Sequence, residues 1–237
     1  PETDPHIPQH FGATTLDKKA ANTAALRERM LLRDGRRPIL AYVGRLDTQK
    51  GLHLIRHALF FALEQDAQFV LLGSGSEHGI NEDFWHLKLR LNDNPDCHLE
   101  IGYDEDLAHL IYAGADLLVM PSLYEPCGLT QMIALRYGTV PVVRATGGLV
   151  DSVVPWDPAT RKGTGFLFAD YSGDAMLGAL AQALDVFGRP ADWKRLQQNG
   201  MKADFSWDRS ARAYVKVYKG VIAARRTRRP KASVART

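Results

Sequence analysis

The feature that most constrains the fold of this chain is a repeated alternation of two patterns: apolar runs of five to seven residues and amphipathic stretches of helical length. Strands are expected at 38–44 (PILAYVG), 67–73 (AQFVLLG), 97–102 (CHLEIG), 116–121 (DLLVMP), 139–144 (TVPVVR) and 165–169 (GFLFA). Between them lie GLHLIRHALFFALEQ, a weaker periodic stretch over 79–91, DEDLAHLIYAG, GLTQMIALRYG and GLVDSVV, which read as helices. Such alternation predicts a parallel sheet covered by helices on both faces, and unbroken apolar runs such as LLVM suit strands buried on both sides. The expected class is therefore α/β: a doubly wound, Rossmann-like parallel sheet. A helical C-terminal portion follows at 174–187, 191–199 and 208–224, broken first at Gly188-Arg189-Pro190.

Composition bounds the rest. The chain has 237 residues, 45% hydrophobic and 24% charged, enough to bury one large core. No apolar run reaches the roughly 20 residues of a membrane span, and no charged-then-apolar leader opens the sequence. Two cysteines, Cys97 and Cys127, cannot build a disulfide framework and lack partners at metal-ligand spacing, so a cytoplasmic setting is expected. The net charge of +3 comes from the final segment RRTRRPKASVART, without which 24 basic residues face 27 acidic ones. That segment could grip a polyanion or an anionic membrane, but its composition also suits a solvated, disordered end. The expected organisation is a linker at 1–12 (PETDPHIPQHFG), one nucleotide-binding domain at 13–224 and a basic disordered tail at 225–237. A start in mid-linker suggests a piece of something longer. Neither nucleic acid nor a membrane is expected as a partner.

Open sheets of this kind bind ligands beyond the carboxyl ends of their strands, which selects the loops GRLDTQKG, GSGSE, GYDED, SLYEPCG and ATGG. Arg45 and Lys50 follow the first strand between Gly44 and Gly51; two cations there would suit a diphosphate, or they are simply surface charges. Gly73, Gly75 and Gly79 fall one glycine short of a dinucleotide fingerprint, because His78 stands where the third glycine is needed. A tight turn that admits a ligand explains them better than an NAD site. Asp104 and Asp106 could hold a metal ion, yet at the start of a helix Asp104 reads better as an N-cap. Tyr103 is placed to stack on a flat base, or is an ordinary half-buried aromatic.

The stretch PSLYEPCGLTQMIALRYG poses the sharpest question, because Glu125 stands alone before a helix expected to begin near Gly128. It could cap that helix. If instead the amides of Leu129 and Thr130, with Arg45 and Lys50, hold a phosphate, then Glu125 is free to accept hydrogen bonds from neighbouring sugar hydroxyls. Cys127 reads as a small lining residue, since nothing places His98 or His109 beside its thiol.

Together GRLDTQKGLHLI, IGYDED, PSLYEPCGLTQMIALRYGTVPVVRATGGLVDSV and DFSWDRSARAYVKVY resemble the C-terminal domain of bacterial glycogen synthases and plant starch synthases, glycosyltransferase family 5. The resemblance covers nearly the whole chain except the basic tail. It implies one half of a two-domain GT-B enzyme that transfers glucose from ADP-glucose to the non-reducing end of an α-1,4-glucan with retention. It implies further that Arg45 and Lys50 hold the donor diphosphate, that Tyr103 packs on adenine and that Glu125 meets the glucose hydroxyls. Cys127, Gly128, Leu129 and Thr130 would line the donor pocket, with Gly73 and Gly75 close by, and no metal or other cofactor would be needed. The implied partners are the N-terminal glycosyltransferase domain, absent from this sequence, and the glucan acceptor; the implied compartment is cytoplasm, or plastid stroma in a plant. Related transferases often carry a second glutamate where Ile133 stands here, and Gln131 in that turn favours the adenine-nucleotide glucan enzymes. A UDP-glucose-using relative and an ADP-sugar-binding module without catalysis remain the alternatives.

Overall fold

The computed structural model describes residues 1–75 and 78–227. Six strands, β1 (Ile39–Arg45), β2 (Gln68–Ser74), β3 (Cys97–Ile101), β4 (Leu117–Met120), β5 (Val140–Arg144) and β6 (Phe166–Phe168), form one sheet in the order β3-β2-β1-β4-β5-β6. Every pairing is parallel, and each strand begins and ends within one residue of its expected bounds. The order reverses between β1 and β4, the point at which the loops leaving neighbouring strands diverge and open a crevice.

The strands are apolar at nearly every position because both faces are covered. Leu40, Tyr42, Phe69, Leu71, Leu117 and Val119 pack under α2 (Leu52–Glu64), α3 (His78–Leu91) and α7 (Gly173–Phe187). Ile39, Ala41, Val70, Leu118 and Met120 face α4 (Glu105–Gly114), α5 (Thr130–Arg136) and α6 (Gly148–Ser152). The chain from β6 onward adds α8 (Pro190–Met201), whose Trp193 and Leu196 close the first core. Asp104 N-caps α4, accepting from the Leu107 amide at 2.8 Å, as its position predicts.

One helix in the second layer, α1 (Lys19–Arg29), is not foreshadowed by hydrophobic periodicity. The face it buries is largely polar: Lys19, Asn22 and Arg27 go inward with Leu26. Lys19 Nζ donates to the carbonyls of Ala113 (2.7 Å), Tyr137 (3.2 Å) and Tyr112 (3.3 Å) and to Thr139 Oγ1 (3.0 Å). Tyr112 and Ala113 lie in the last turn of α4 and Tyr137 ends α5, so one cation meets the negative ends of two helices. Burial draws its pKa down to about 7, with Asp116 opposing.

Residues 1–12 contain no helix or strand, yet they pack firmly. Ile7 and Phe11 join Leu16, Ala113 and Met201 in a small apolar cluster. Asp4 is buried, accepting from Tyr137 Oη (2.5 Å), His109 Nδ1 (2.8 Å) and the His6 amide (3.0 Å). The linker-like composition therefore belongs to a segment strapped onto the domain.

Compact packing ends at Ala203, and Asp204 onward forms a separate unit. The helical C-terminal portion expected as part of one domain is thus divided. The second unit holds α9 (Trp207–Thr227), which carries Trp207, Tyr214, Tyr218, Val221 and Ile222 exposed along one face. Of the basic tail expected at 225–237, residues 228–237 lie outside the described residues. Among the described residues no helix is long and apolar enough to cross a membrane.

The Asp4 cluster predicts a pH dependence. Burial alone would raise the Asp4 pKa, but the hydrogen bonds from Tyr137, His109 and the His6 amide outweigh it and lower the value from 3.8 to about 2. The stabilisation is therefore complete above the unfolded value and is lost as pH falls through the folded one. Asp4→Asn should cost about 1–2 kcal/mol at pH 6 by urea denaturation, and the gap to the native chain should narrow at pH 3.

Candidate functional site

Three loops leave the C-terminal edge of the sheet beside its reversal point and lock together. After β1, Asp47 accepts from the Lys50 amide and winds Thr48–Lys50 into one tight helical turn, which ends at Gly51 in the left-handed region (φ 74°). A Cβ on Gly51 would lie 2.2 Å from the Pro121 carbonyl oxygen, so only glycine lets this turn pass beneath the loop after β4. The Leu123 amide donates to Gln49 O at 2.8 Å and Gln49 Nε2 to Tyr124 O at 3.1 Å, joining the two loops edge to edge. Arg144, at the end of β5, donates to Leu123 O at 2.6 Å while its guanidinium lies over the Tyr171 ring.

The loop after β5 completes the assembly. The Gly148 amide donates to Glu125 O at 3.0 Å. Gly147 has φ 47°, and Cβ atoms on Gly147 and Gly148 would fall 2.1 Å from Glu125 O and 2.3 Å from Cys127 O. The ATGG sequence is thus a contact surface for the backbone that carries Glu125 and Cys127. Gln131 is fully buried (0% exposed), and its Nε2 lies 3.0–3.1 Å from Cys127 O, Gly128 O and Ser152 Oγ, pinning the turn before α5.

This scaffold brings Lys50 and Glu125 together. Glu125 is 7% exposed, and its Oε2 accepts from Lys50 Nζ at 2.7 Å and from Ser122 Oγ at 3.1 Å. The helix-capping alternative for Glu125 is overturned: α5 begins at Thr130, its N-cap is Leu129, and no side chain caps it. The start falls two residues later than expected because Gly128 adopts φ 73°, outside the helical range.

The other expected residues divide. Arg45, the last residue of β1, is 71% exposed on its side chain and pairs with Asp47 at 3.1 Å, so each of the two expected cations has its own acid. Cys127 and Leu129 are exposed, Gly128 and Thr130 half-buried. Tyr103 is 86% exposed, beyond the end of β3. His98 and His109 engage Glu100 and Asp4, away from Cys127. Two glycines make room for neighbouring backbone. Gly51 admits the Pro121 backbone, and Gly73 admits Gly44 O, which would lie 2.5 Å from a Cβ there. Gly75 lies at the edge of the described segment, and Ser76 and Glu77 fall outside it. Sequence reasoning missed Ser122, Gln49 and Arg144; the hint available was their place at strand ends, which polar residues on any surface loop share.

Comparison with known proteins narrows what this geometry serves. The profile of the family described as Glycosyl transferases group 1 matches residues 27–199. The chain belongs to that family. It is 52% identical over 222 residues to glycogen synthase 2 of Methylococcus capsulatus, covering 92% of this chain and 46% of the relative. It is also 52% identical to glycogen synthase 1 of Nitrosococcus oceani, again covering 46% of that protein. The solved catalytic domain of starch synthase IV from Arabidopsis thaliana, bound to ADP and acarbose, superposes with a TM-score of 0.88 at 41% identity, over 94% of this chain and 46% of that one. The chain therefore spans about half the length of the curated relatives it matches, and its architecture is that of one GT-B half.

The interlocked loops predict opposite outcomes for two glycine substitutions. Gly51→Ala should destabilise the chain by about 2 kcal/mol or more, since both φ and space are wrong. Gly178→Ala, in the middle of α7 with open space around it, should stabilise by roughly 0.5–1 kcal/mol. Paired denaturant melts measure both.

Proposed function

We propose that this chain is the donor-binding half of a glycogen synthase, taking ADP-glucose in the crevice above β1 and β4. The observation that carries the reading is the Lys50–Glu125 pair, 2.7 Å apart and mostly buried at the sheet's reversal point. It sets a cation suited to phosphate beside a carboxylate suited to vicinal hydroxyls. Lys50 and Arg45 take the donor diphosphate together with the peptide N–H groups around Leu129 and Thr130, which no side chain caps. Exposed Tyr103 offers a face to the base, Gly73 and Gly75 stand at and just after the end of the neighbouring strand β2, and Cys127 and Gly128 line the sugar pocket. Similarity to the ADP-bound starch synthase favours ADP-glucose over UDP-glucose.

In the reaction the bond from glucose C1 to the diphosphate oxygen breaks and ADP departs with the electron pair. The glucan hydroxyl oxygen bonds to C1 as its proton passes to the departing diphosphate. Negative charge grows on the diphosphate, and Arg45 and Lys50 are placed to stabilise it more in the transition state than in the ground state. That role needs no metal ion. Glu125 orients the ring through its hydroxyls while positive charge develops at C1.

Acceptor binding and exclusion of water need the other half of the cleft, so this chain alone is read as a binder with negligible turnover. The exposed apolar face of α9 offers a surface against which the missing half can dock. A cytoplasmic setting fits two free cysteines, one of them exposed. Calorimetry with ADP, UDP and NAD should show binding strongest for ADP and none for NAD. Lys50→Ala should weaken ADP at least tenfold, about 1.4 kcal/mol for one lost charge-assisted contact. In the complete two-domain enzyme, assayed with ADP-[¹⁴C]glucose and glycogen, the same change should lower turnover about 10²- to 10³-fold. ADP affinity and turnover unchanged by the substitution would remove Lys50 from the site.

A further inference from the structure

A second cavity lies at the opposite edge of the sheet, where the strands begin. It has a volume of about 590 Å³ and opens between α1, the loop Gly35–Arg37 before β1, and the junction of α7 with α8. Small-molecule sites span about 300–1,000 Å³. The seven residues of β1 place this cavity about 20 Å from the Lys50 loop. Its apolar lining comes from Leu16, Ala20, Phe187, Pro190 and Trp193, with Phe187 and Trp193 meeting edge to face at 5.2 Å.

The charges around it do not balance. Five basic side chains line the cavity, Lys19, Arg27, Arg36, Arg37 and Lys194, against two acids, Asp17 and Asp116; Lys19 is spent on the ends of α4 and α5. Arg27 is the decisive one, because it is nine-tenths buried (9% exposed) and its named acceptors are both neutral: Gln68 Oε1 at 2.9 Å and Arg37 O at 2.7 Å. A guanidinium has five N–H donors, so most of those on Arg27 remain for a partner. Buried charges are ordinarily paired, yet among the described residues Arg27 forms no ion pair. Asp116 accepts from the Ile39 amide at 2.9 Å and lies in the field of both Lys19 and Arg27, so it is shared rather than paired with Arg27. On the rim, Arg37 is held by Asp66 at 2.7 Å. Arg36 and Lys194 are exposed and pair with no acid among the described residues.

We propose that this cavity is a binding site for a small organic anion, one whose carboxylate, sulfonate or phosphate group meets Arg27 and the Arg36–Lys194 rim while a flat apolar body rests on Phe187, Pro190 and Trp193. The volume is too large for a bare inorganic anion, and the apolar floor gives such an ion nothing to bury. The site is separate from the nucleotide-sugar crevice and does not depend on that assignment.

The probe is 1-anilinonaphthalene-8-sulfonate, titrated into the whole chain by calorimetry, with uncharged N-phenyl-1-naphthylamine as its control. One saturable site for the sulfonate is expected, binding at least tenfold more tightly than the neutral compound. Arg36→Glu combined with Lys194→Glu, two changes at exposed side chains that pair with no acid among the described residues, should weaken it at least tenfold. Ala20→Trp, also at an exposed helical position, should block it by filling the cavity without changing charge. Excess ADP should leave it unaltered. Binding that survives both variants, equal binding of the neutral compound, or displacement by ADP would each overturn the proposal; the ADP titration stands or falls independently.

Discussion

The close passage of the loops after β1 and β4 is the constraint on which the site depends. Sheet order makes these two strands neighbours while sending the chain away in opposite directions from them. Their loops must nevertheless meet if a side chain from each is to share one pocket. The meeting is achieved through backbone: Gly51 beneath the Pro121 carbonyl, Leu123 N on Gln49 O, and Gly148 N on Glu125 O. Backbone contacts of this kind hold position more firmly than long side chains can, since fewer rotamers are frozen for each bond made.

Polar burial supports the opposite half of the molecule in a similar way. Carbonyls at a helix end have no intrahelical donor, and burying them unmet is costly. Lys19 supplies the missing donor to α4 and α5 at once, and Asp4 ties the first residues to Tyr137 and His109. Because removing one partner of such a network strands the others, these contacts fix the arrangement of α1 and the N-terminal strap more than they add net stability.

This division explains what the sequence made legible. Strands buried on both faces must be apolar at successive positions, and that signature located all six to within a residue. Helix α1 escaped because its inward face is Lys19, Asn22, Leu26 and Arg27, which no hydrophobic period can flag. The strap of residues 1–12 escaped for a related reason, since Ile7 and Phe11 are isolated apolar residues among prolines. Within the site, the loops that meet at the sheet's reversal point and the isolated position of Glu125 before α5 were readable from the sequence. Its partners were not, because Lys50 lies 75 residues away and only the parallel register of β1 against β4 brings the two together. That Gly51 and Gly73 make room for neighbouring backbone shows only in the fold.

The Lys50–Glu125 contact bears on how a donor would be received. A mostly buried ion pair gains Coulombic energy but loses hydration, so its net contribution is small, whereas stranding either member is expensive. On the reading proposed above, a diphosphate draws Lys50 away from Glu125, and binding is favourable only if something else meets the carboxylate. Sugar hydroxyls can do so, and Ser122 Oγ, already 3.1 Å from Oε2, stays to share the load. A nucleotide without its sugar leaves Glu125 beside the incoming phosphates with only Ser122 for support. On that reading, the pair favours the complete donor over its product.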